Sequence, residues 1–426
     1  MPHLSNNKSA ETPHLRQTAT SSGPAFGRPH FKFDAGKLAT PESELAPASL
    51  YPTPRQPRYR SLTAWRGLAC LLVVVFHSLF YCNAVNSALE PHAQSQLLRL
   101  TERFWIGVPL FFVISGYCIA AAVDSHRLRG DGGIQFFVRR LRRIVPPYWC
   151  ALGITAATVL LVERWLSPGL FVDLVSGFPD PSSLNARQWL GNITLSESWR
   201  YHVLTGHPNY FLGHAWTLFY EEQFYVVAGL LLVFVPRRFF TATAGVTLLT
   251  LAARHFGERV GLSVNGTFLD GHWLMFAAGI AVYHFANHAN LRQKRLSIAL
   301  LLAGLVYACS DLSLVWGLPN NFQSNALAAF CFAVLLIACR RWDSAIMTAR
   351  GLAPIRFCGD ICYSLYLVHW PICKATSHLL HDAGVRGPWG AACIVLPCCV
   401  GASVAAGYVF HALIERRFLN APMLKA

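Results

Sequence analysis

Residues 66–77 read RGLACLLVVVFH, an apolar run with an arginine at its start and a histidine at its end. At a rise of about 1.5 Å per helical residue, His77 would lie about 16 Å from Arg66 along the axis, near the middle of a hydrocarbon core about 30 Å thick. An ionisable side chain at that depth is costly, and such residues usually face a bundle interior or a water-filled cavity. The stretch therefore predicts a membrane-spanning helix that carries a functional histidine.

The composition of the 426-residue chain also indicates a membrane protein, because 54% of its residues are hydrophobic and only 13% are charged. Apolar runs recur from Leu68 almost to the end, which favours one multi-pass domain over several globular ones. The predicted fold class is an all-α, polytopic membrane helix bundle of about ten transmembrane helices. The predicted spans are 62–82, 104–122, 146–162, 216–235, 239–253, 268–287, 297–309, 323–339, 357–373 and 389–412.

Lysine and arginine predict the orientation of these spans. About three quarters of the 36 Lys and Arg residues fall in segments on the same side as the N-terminus. By the positive-inside rule both termini are expected to be cytoplasmic, in a multi-pass protein of the cytoplasmic (inner) membrane. The net charge of +15 is then explained by orientation and by attraction to anionic lipids. Membrane lipids, and no nucleic acid, are the predicted partners of the basic surface.

The domain organisation follows from the same patterns. Residues 1–58 are rich in Pro, Ser and Thr without helical or strand periodicity, which predicts a disordered cytoplasmic tail. Residues 59–417 form the predicted membrane domain, and residues 418–426 a short cytoplasmic tail. No signal peptide is expected, because the first long apolar run continues into a span.

Metal chemistry is poorly supported by the sequence. Most of the 13 cysteines stand singly in apolar runs, where they behave as small hydrophobic residues, and no Cys-x-x-Cys pair occurs. His202, His207 and His214 lie in or beside a long predicted outside loop. They are interpreted as ordinary polar loop residues, and no metal site is predicted.

Few acidic residues fall within the predicted spans, among them Glu221, Glu222 and Asp360. In a helix, Thr217, Glu221 and Tyr225 are four residues apart and share one face, so a polar stripe descends from the outer surface. A catalytic role is one interpretation of this stripe. The other is an interfacial aromatic belt beside a partly hydrated glutamate pair, since Trp and Tyr are common at that depth.

Two further segments carry candidate chemistry. His369 lies well inside the ninth predicted span and precedes Pro371, so it is either a proton-transfer group or a partner for backbone groups freed at a proline kink. The basic run 139–143 stands immediately before the third span. It anchors the span to lipid and fixes topology, and its guanidinium groups also suit the phosphates of a donor.

These motifs, in this order, resemble those of the acyltransferase-3 family of integral-membrane O-acyltransferases, over about residues 60–417. The matching segments are Arg66 with His77, Phe111–Tyr117 with its Ser115, Arg139–Pro147, His214–Tyr225 and Tyr363–His369. The chain departs from the family pattern in three places. Thr217 stands where Ser is usual, Phe219-Tyr220 is bulkier than the usual pair, and Glu415 is not followed by the usual Pro. No catalytic role is therefore assigned to Glu415. No extracytoplasmic hydrolase-like domain is expected after residue 426.

The resemblance implies an O-acyltransferase, most simply one that transfers an acetyl group from acetyl-CoA to a hydroxyl. The expected acceptor is a carbohydrate or lipid-linked glycan, such as an exopolysaccharide, lipopolysaccharide or Nod-factor-like glycan. Acyl-CoA is the expected co-substrate, and no tightly bound cofactor is expected. The implied catalytic residues are His77, Glu221 and Arg66. The implied donor- and substrate-binding residues are Arg139, Arg140, Arg142, Arg143, Ser115, Trp216, Tyr225, Tyr363, Ser364 and His369.

Two other functions fit the same sequence. An acyl translocator would move the acyl group outward for a separate exported enzyme, and purified protein with donor and acceptor alone would distinguish it from a transferase. A proton-coupled transporter would use His77 and Glu221 and would favour paired broken helices in two halves of the chain. No such duplication is visible in the sequence.

Overall fold

The computed structural model describes residues 59–89, 100–129, 133–172, 178–202, 207–261, 263–309 and 322–419. Helices and the turns between them account for these residues, and none of the described ranges contains a β-strand, which confirms the all-α prediction. The predicted tail 1–58 lies outside the described residues, as do both termini and most of the predicted tail 418–426.

The helices are numbered here in chain order. The first half contains α1 (Leu62–Leu89), α2 (Gly107–Arg129), α3 (Gly133–Leu161), α4 (Ala186–Ile193), α5 (Glu197–Arg200), α6 (Trp216–Phe234) and α7 (Phe239–Gly257). The second half contains α8 (Trp273–Asn287), α9 (Leu291–Cys309), α10 (Phe322–Cys339), α11 (Asp343–Thr348), α12 (Ala353–Asp360), α13 (Cys362–Asp382), α14 (Gly387–Gly390), α15 (Leu396–Phe410) and α16 (Arg416–Leu419). A π-helical turn, His411–Glu415, joins α15 to α16.

Six helical segments are long and apolar enough to cross a membrane. They are Leu62–Phe80, Glu102–Arg127, Gly133–Leu166, Gly213–Phe234, Ser324–Thr348 and Gly387–Leu419. The remaining predicted spans, 239–253, 268–287, 297–309 and 357–373, coincide with α7, α8, α9 and α13. These four helices fall short of the same criteria, so six crossings are supported directly and the count of ten stays a prediction.

The start of α1 is fixed by a carboxylate from a distant part of the chain. Asp343, the first residue of α11, accepts hydrogen bonds from the backbone N–H groups of Arg60 and Ser61 at 2.9 and 2.8 Å. An acidic group at a helix N-terminus satisfies free N–H donors and interacts favourably with the helix dipole. The Tyr59 hydroxyl adds a bond to the carbonyl of Leu336 at 2.8 Å. The helix that carries Arg66 and His77 is thereby fixed to the end of α10.

Reciprocal glycine contacts hold α2 against α8. A Cβ atom added at Gly116 would lie 1.9 Å from the carbonyl oxygen of Phe276, and one added at Gly279 would lie 1.9 Å from that of Val113. Small residues allow this close approach, which is a common way for helices to pack in membranes. The contact fixes how far α2 is rotated and which of its side chains face α6.

We expect Gly116→Ala to destabilise the bundle by about 1–3 kcal/mol, because the new methyl group has no space against a backbone carbonyl. The matched control is Gly153→Ala in α3, where nothing lies within 4 Å of the added Cβ. That change removes an exposed helical glycine and should be neutral or stabilising by up to about 1 kcal/mol. Thermal unfolding of the two variants in detergent, followed by size-exclusion chromatography, makes the comparison. Equal stability of both variants would contradict the proposed close packing.

Candidate functional site

A cavity of about 180 Å³ lies among α1, α2, α3, α6 and α13. Its walls are formed partly by aromatic and aliphatic side chains such as Phe111, Phe112 and Val108. The polar and charged lining residues are Arg66, Ser115, Arg140, Arg143, Thr217, Glu221, Tyr225, Asp360, Tyr363, Tyr366 and Glu415. Residues that are far apart in the sequence therefore meet in one polar space inside an apolar bundle.

The carboxylate of Glu221 is the centre of the hydrogen-bonding in this cavity. Ser115 Oγ donates to Glu221 Oε1 at 2.6 Å, and the hydroxyl of Tyr225 donates to the same oxygen. The guanidinium carbon of Arg140 lies 5.1 Å from the centre of the Tyr225 ring. The predicted face of α6 is confirmed, since Thr217, Glu221 and Tyr225 all line the cavity.

The second half of the site is a histidine pair next to the cavity. His369 Nε2 lies 3.2 Å from His77 Nδ1, and the two ring centroids are 5.0 Å apart. His77 is not among the lining residues of the cavity, but Val73, one helical turn earlier, is. The structure therefore brings His77 to His369 and places this pair beside the space that holds Glu221.

Backbone contacts define the tautomers of this pair. His77 Nδ1 lies 3.0 Å from the carbonyl oxygen of Val73, and His369 Nδ1 lies 2.7 Å from that of Tyr366. A carbonyl only accepts, so each Nδ1 must carry the proton in a neutral ring. His369 Nε2 then accepts from His77 Nδ1–H, and the lone pair on His77 Nε2 is left for chemistry.

A hydrogen-bonded connection joins the two halves of the site. The Tyr366 hydroxyl donates to the carbonyl of His214 at 2.8 Å, so the 2.8 Å contact between Tyr366 and Thr217 requires Thr217 Oγ1 to donate. Both residues line the cavity, and the carbonyl of Tyr366 also accepts from His369. Thr217, which stands where the family usually has Ser, therefore keeps the hydroxyl and uses it as a hydrogen-bond donor to Tyr366.

His214 was interpreted from the sequence as an ordinary polar loop residue, and this interpretation was wrong. It is only 5% exposed, and its ring centroid lies 5.0 Å from that of His369. Neither imidazole nitrogen of His214 meets a partner at hydrogen-bonding geometry within the described part of the chain. Its position two residues before Trp216 in the α6 motif was the one available signal, because loop residues have no periodicity that reveals burial.

The basic run 139–143 lies within α3, and its arginines divide between two faces of that helix. Arg140 and Arg143, three residues apart on one helical face, line the cavity, whereas Arg139 and Arg142 do not belong to its lining. Residues at this spacing share a face because a helical turn contains about 3.6 residues. The structure thus brings only one pair of the four predicted donor-binding arginines to the site.

The remaining predicted residues lie around the cavity in structural roles. Tyr363 lines it and donates to the carbonyl of Ile144 at 2.8 Å, which ties α13 to α3. Trp216 packs on the ring of Phe112, with centroids 6.3 Å apart. Glu222, the neighbour of Glu221, is not among the lining residues, and its Oε1 has no hydrogen-bond partner within the described ranges.

Glu415 is a cavity residue to which the sequence analysis assigned no role. It is 2% exposed and lines the cavity from the π-helical turn. Ser364 Oγ donates to Glu415 Oε2 at 2.6 Å, and His411 Nδ1 lies 2.8 Å from the same oxygen. Ser364 therefore acts on the site through Glu415. Because the family's usual Pro does not follow Glu415, the sequence contains no motif match that would have placed Glu415 in the site.

Buried polar contacts hold parts of the segment between α3 and α6. Arg200 donates two hydrogen bonds to Glu197 at 2.8 and 3.0 Å, and both residues are buried. These bonds raise the pKa of Arg200. Lys374 on α13 donates to the carbonyl of Phe171 at 2.8 Å and fixes an earlier part of the segment beside the histidine pair.

Within the described ranges, no three His, Cys, Asp or Glu side chains are arranged to hold a metal ion. The site consists instead of carboxylates, hydroxyl groups, guanidinium groups and imidazoles. Such a set can hold an anionic ligand at one end and exchange protons with a hydroxyl at another.

Comparison with known families identifies the family of the chain. The family model described as an acyltransferase domain matches residues 59–408. The chain belongs to the acyltransferase-3 family. It is an O-acyltransferase, and the motifs quoted from its sequence are the ones gathered around the cavity.

Several named proteins resemble the chain. BcsY of Komagataeibacter xylinus, named "putative membrane-bound transacylase", is 27% identical over 352 residues, which is 78% of each chain. The exopolysaccharide production protein ExoZ of Rhizobium meliloti is 30% identical and covers 62% of this chain and 74% of its own. The O-acetyltransferase OatA of Staphylococcus aureus is 24% identical over 63% of this chain, which spans about half (46%) of the OatA length. No solved structure matches the chain.

We expect Thr217→Val to lower acyl transfer about fivefold to tenfold, because loss of one hydrogen bond of about 1 kcal/mol frees the Tyr366 ring. Thr217→Ser keeps the hydroxyl and should retain activity. The control is Tyr408→Phe, which removes an exposed hydroxyl on α15 that does not line the cavity, and it should retain activity. Turnover per amount of purified protein is the measurement. Equal activity of the valine and serine variants would show that the connection is dispensable.

Proposed function

We propose that the protein transfers an acyl group, most simply acetyl, from acyl-CoA on the cytoplasmic side to a hydroxyl of a carbohydrate. The proposal includes about ten crossings of the cytoplasmic membrane with both termini inside. The observation that carries it is the cavity itself, which joins arginine side chains at one end to a carboxylate and two hydroxyl groups deeper in the bundle. The names of the relatives support the reaction class.

Arg140 and Arg143 are the proposed contacts for the donor's phosphates. Both line the cavity near the start of α3, the end assigned to the cytoplasm. Guanidinium groups bind phosphate oxygens through charge-assisted hydrogen bonds, and two on one helical face give a divalent contact. Arg66, deeper in the same cavity, is placed to stabilise negative charge that develops on the thioester carbonyl oxygen.

His77 is the proposed base or transient acyl carrier. Its Nε2 lone pair is available in the tautomer set by Val73 and His369. As a base, Nε2 takes the proton of the acceptor hydroxyl while the new C–O bond forms. The C–S bond then breaks, the electron pair leaves on sulfur, and the proton ends on the thiolate. As a carrier, Nε2 itself attacks the thioester, the C–S bond breaks and the CoA thiolate leaves. In a second step the acceptor hydroxyl attacks the acyl-imidazole, the C–N bond breaks to restore the imidazole, and the hydroxyl proton ends on the thiolate.

Glu221 is proposed to orient groups in the cavity and to relay protons. Ser115 and Tyr225 both donate to one of its oxygens, which leaves Oε2 for a ligand or water. Glu415, held by Ser364 and His411, adds a second carboxylate on the α13 side of the cavity.

A carbohydrate acceptor is proposed from the relatives. ExoZ is named for exopolysaccharide production and OatA as an O-acetyltransferase, and both align with the membrane domain described here. An exopolysaccharide, a lipopolysaccharide or a lipid-linked glycan would each supply the hydroxyl. Comparison of the O-acyl content of surface glycans from cells with and without the protein tests this part. An unchanged profile would point to a small-molecule acceptor instead.

The donor assignment can be tested within the basic run. We expect the double variant Arg140→Gln with Arg143→Gln to raise KM for acyl-CoA about tenfold to hundredfold, since a charge-assisted hydrogen bond contributes about 1.5–3 kcal/mol. Arg139→Gln with Arg142→Gln removes the same charge from the same helix outside the cavity lining, and should change KM far less. Initial rates in detergent at matched protein amounts give both values. Equal effects of the two pairs would show that the run acts through net charge alone.

We expect His77→Gln to lower turnover by about 10²- to 10⁴-fold, the range that a general base supplies. The matched control is His207→Gln, because His207 is an exposed histidine of the outside segment. Transfer of radiolabelled acyl groups in membranes with equal protein levels is the measurement. Near-normal transfer by His77→Gln would refute the assignment. Rapid quenching of the wild type then separates the two chemical roles, since only a carrier retains label on the protein.

Purified protein with donor and acceptor alone separates a transferase from an acyl translocator. Transfer without a partner supports the proposal. Release of acyl groups on the acceptor side only when a second exported enzyme is present would favour translocation.

A further inference from the structure

We propose that His272, oriented by Asp270, binds a hydroxyl group of the acceptor at the end of the bundle where α6 begins. This inference rests on the proposed function and adds a binding site that the family motifs do not contain. The two residues lie in the segment immediately before α8, outside the cavity described above.

Asp270 orients the His272 ring and does not itself bind substrate. It is 7% exposed, and both of its carboxylate oxygens are occupied by donors from the protein. Oδ2 accepts from the Tyr220 hydroxyl and from the backbone N–H of Gly266, the latter at 3.1 Å. Oδ1 accepts from the backbone N–H of His272 at 3.1 Å and faces the His272 ring. The carboxylate therefore has no position left for another ligand.

The His272 ring has one nitrogen engaged and one available. Nδ1 lies 2.7 Å from Asp270 Oδ1, so it carries the proton and donates. In the neutral ring Nε2 then bears a lone pair, and no residue in the described part of the chain bonds to it. The side chain is 20% exposed, which lets a ligand reach this edge of the ring. A carboxylate on one nitrogen and an open second nitrogen is the arrangement by which proteins fix a histidine tautomer toward a ligand.

Helix capping does not account for this arrangement. Asp270 alone satisfies the backbone N–H at the start of α8, and that contact needs no particular side chain at residue 272. The side-chain contact from His272 to Asp270 therefore has a separate explanation, which is to hold the ring in one orientation.

Aromatic side chains surround the ring and connect it to the cavity wall. The His272 ring stacks on Tyr220 with centroids 4.3 Å apart, and it meets the edge of Trp216 at 5.5 Å. Phe112, which lines the cavity, lies 6.2 Å from it. Tyr220 and Phe112 are buried and hold the His272 ring in place, whereas Trp216 is only partly buried. An aromatic surface such as Trp216 beside an oriented hydrogen-bonding group suits a sugar, whose C–H faces pack on rings while its hydroxyls bond to polar atoms. Because Trp216 directly precedes Thr217, the proposed site adjoins the polar stripe of α6.

The test compares His272→Gln with the wild type. Glutamine keeps a donor for Asp270 but lacks the rigid ring that presents an acceptor nitrogen. The acceptor probe is the surface glycan fraction of cells that lack the protein, after alkaline removal of O-acyl groups. We expect KM for this fraction to rise about fivefold to tenfold while KM for acyl-CoA stays unchanged. Asp270→Asn should give the same pattern, because it weakens the hydrogen bond that orients the ring.

His255→Gln is the matched control, since His255 is an exposed histidine at the same end of the bundle on α7. It should leave both KM values unchanged. An unaltered KM for the glycan fraction in His272→Gln would overturn the inference, and so would an equal rise in KM for acyl-CoA. Slow hydrolysis of acyl-CoA without acceptor checks folding, because it should be equal in the wild type and in the variants. If the wild type itself cleaves acyl-CoA but does not acylate the glycan fraction, the carbohydrate acceptor of the proposed function fails and this inference fails with it. If the wild type does acylate the glycan fraction, the KM of His272→Gln for that fraction decides this inference.

Discussion

The carboxylate of Glu221 in an apolar bundle is the constraint on which the rest of the site depends. A buried polar group costs free energy unless it finds partners, and inside a membrane bundle those partners must come from other helices. Ser115 on α2 and Tyr225 on α6 both donate to it. Hydrogen bonds of this kind also join Tyr366 to Thr217 and His369 to His77. The contacts that reduce the cost of burial therefore also assemble the chemistry.

Close packing of α2 explains why Ser115 reaches its partner. Gly116 faces α8, where a Cβ atom would overlap the carbonyl of Phe276. Consecutive residues on a helix point about 100° apart, so fixing Gly116 against α8 also fixes the direction of Ser115 toward α6. A rotation of α2 would remove the donor from Glu221 and at the same time force a side chain into the backbone of α8. The packing of α2 against α8 and the hydrogen bond from Ser115 to Glu221 therefore require the same rotation of this helix.

The sequence predicts what lies within one helix better than what lies between helices. Apolar periodicity located the helices, and four-residue spacing correctly placed Thr217, Glu221 and Tyr225 on one face. The same spacing places Arg140 and Arg143 on one helical face and Arg139 and Arg142 on another, although the whole run was predicted to bind the donor. His214 and Glu415 were not assigned to the site, because a loop histidine and a carboxylate in a π-helical turn come to it through tertiary contacts that no local pattern records.

Helix α6 connects the two reactants in the proposed reaction. Trp216 at its start meets His272, and Tyr225 lies under the guanidinium of Arg140. Nine residues separate these two contacts, which corresponds to about 13 Å along the axis. This distance is less than half of a hydrocarbon core about 30 Å thick. The acyl group would therefore have to cross only the middle of the bundle, where Thr217 and Glu221 stand between the two ends. A donor held at one end of the polar cavity and an acceptor held by His272 beside its other end can meet without an open channel through the membrane.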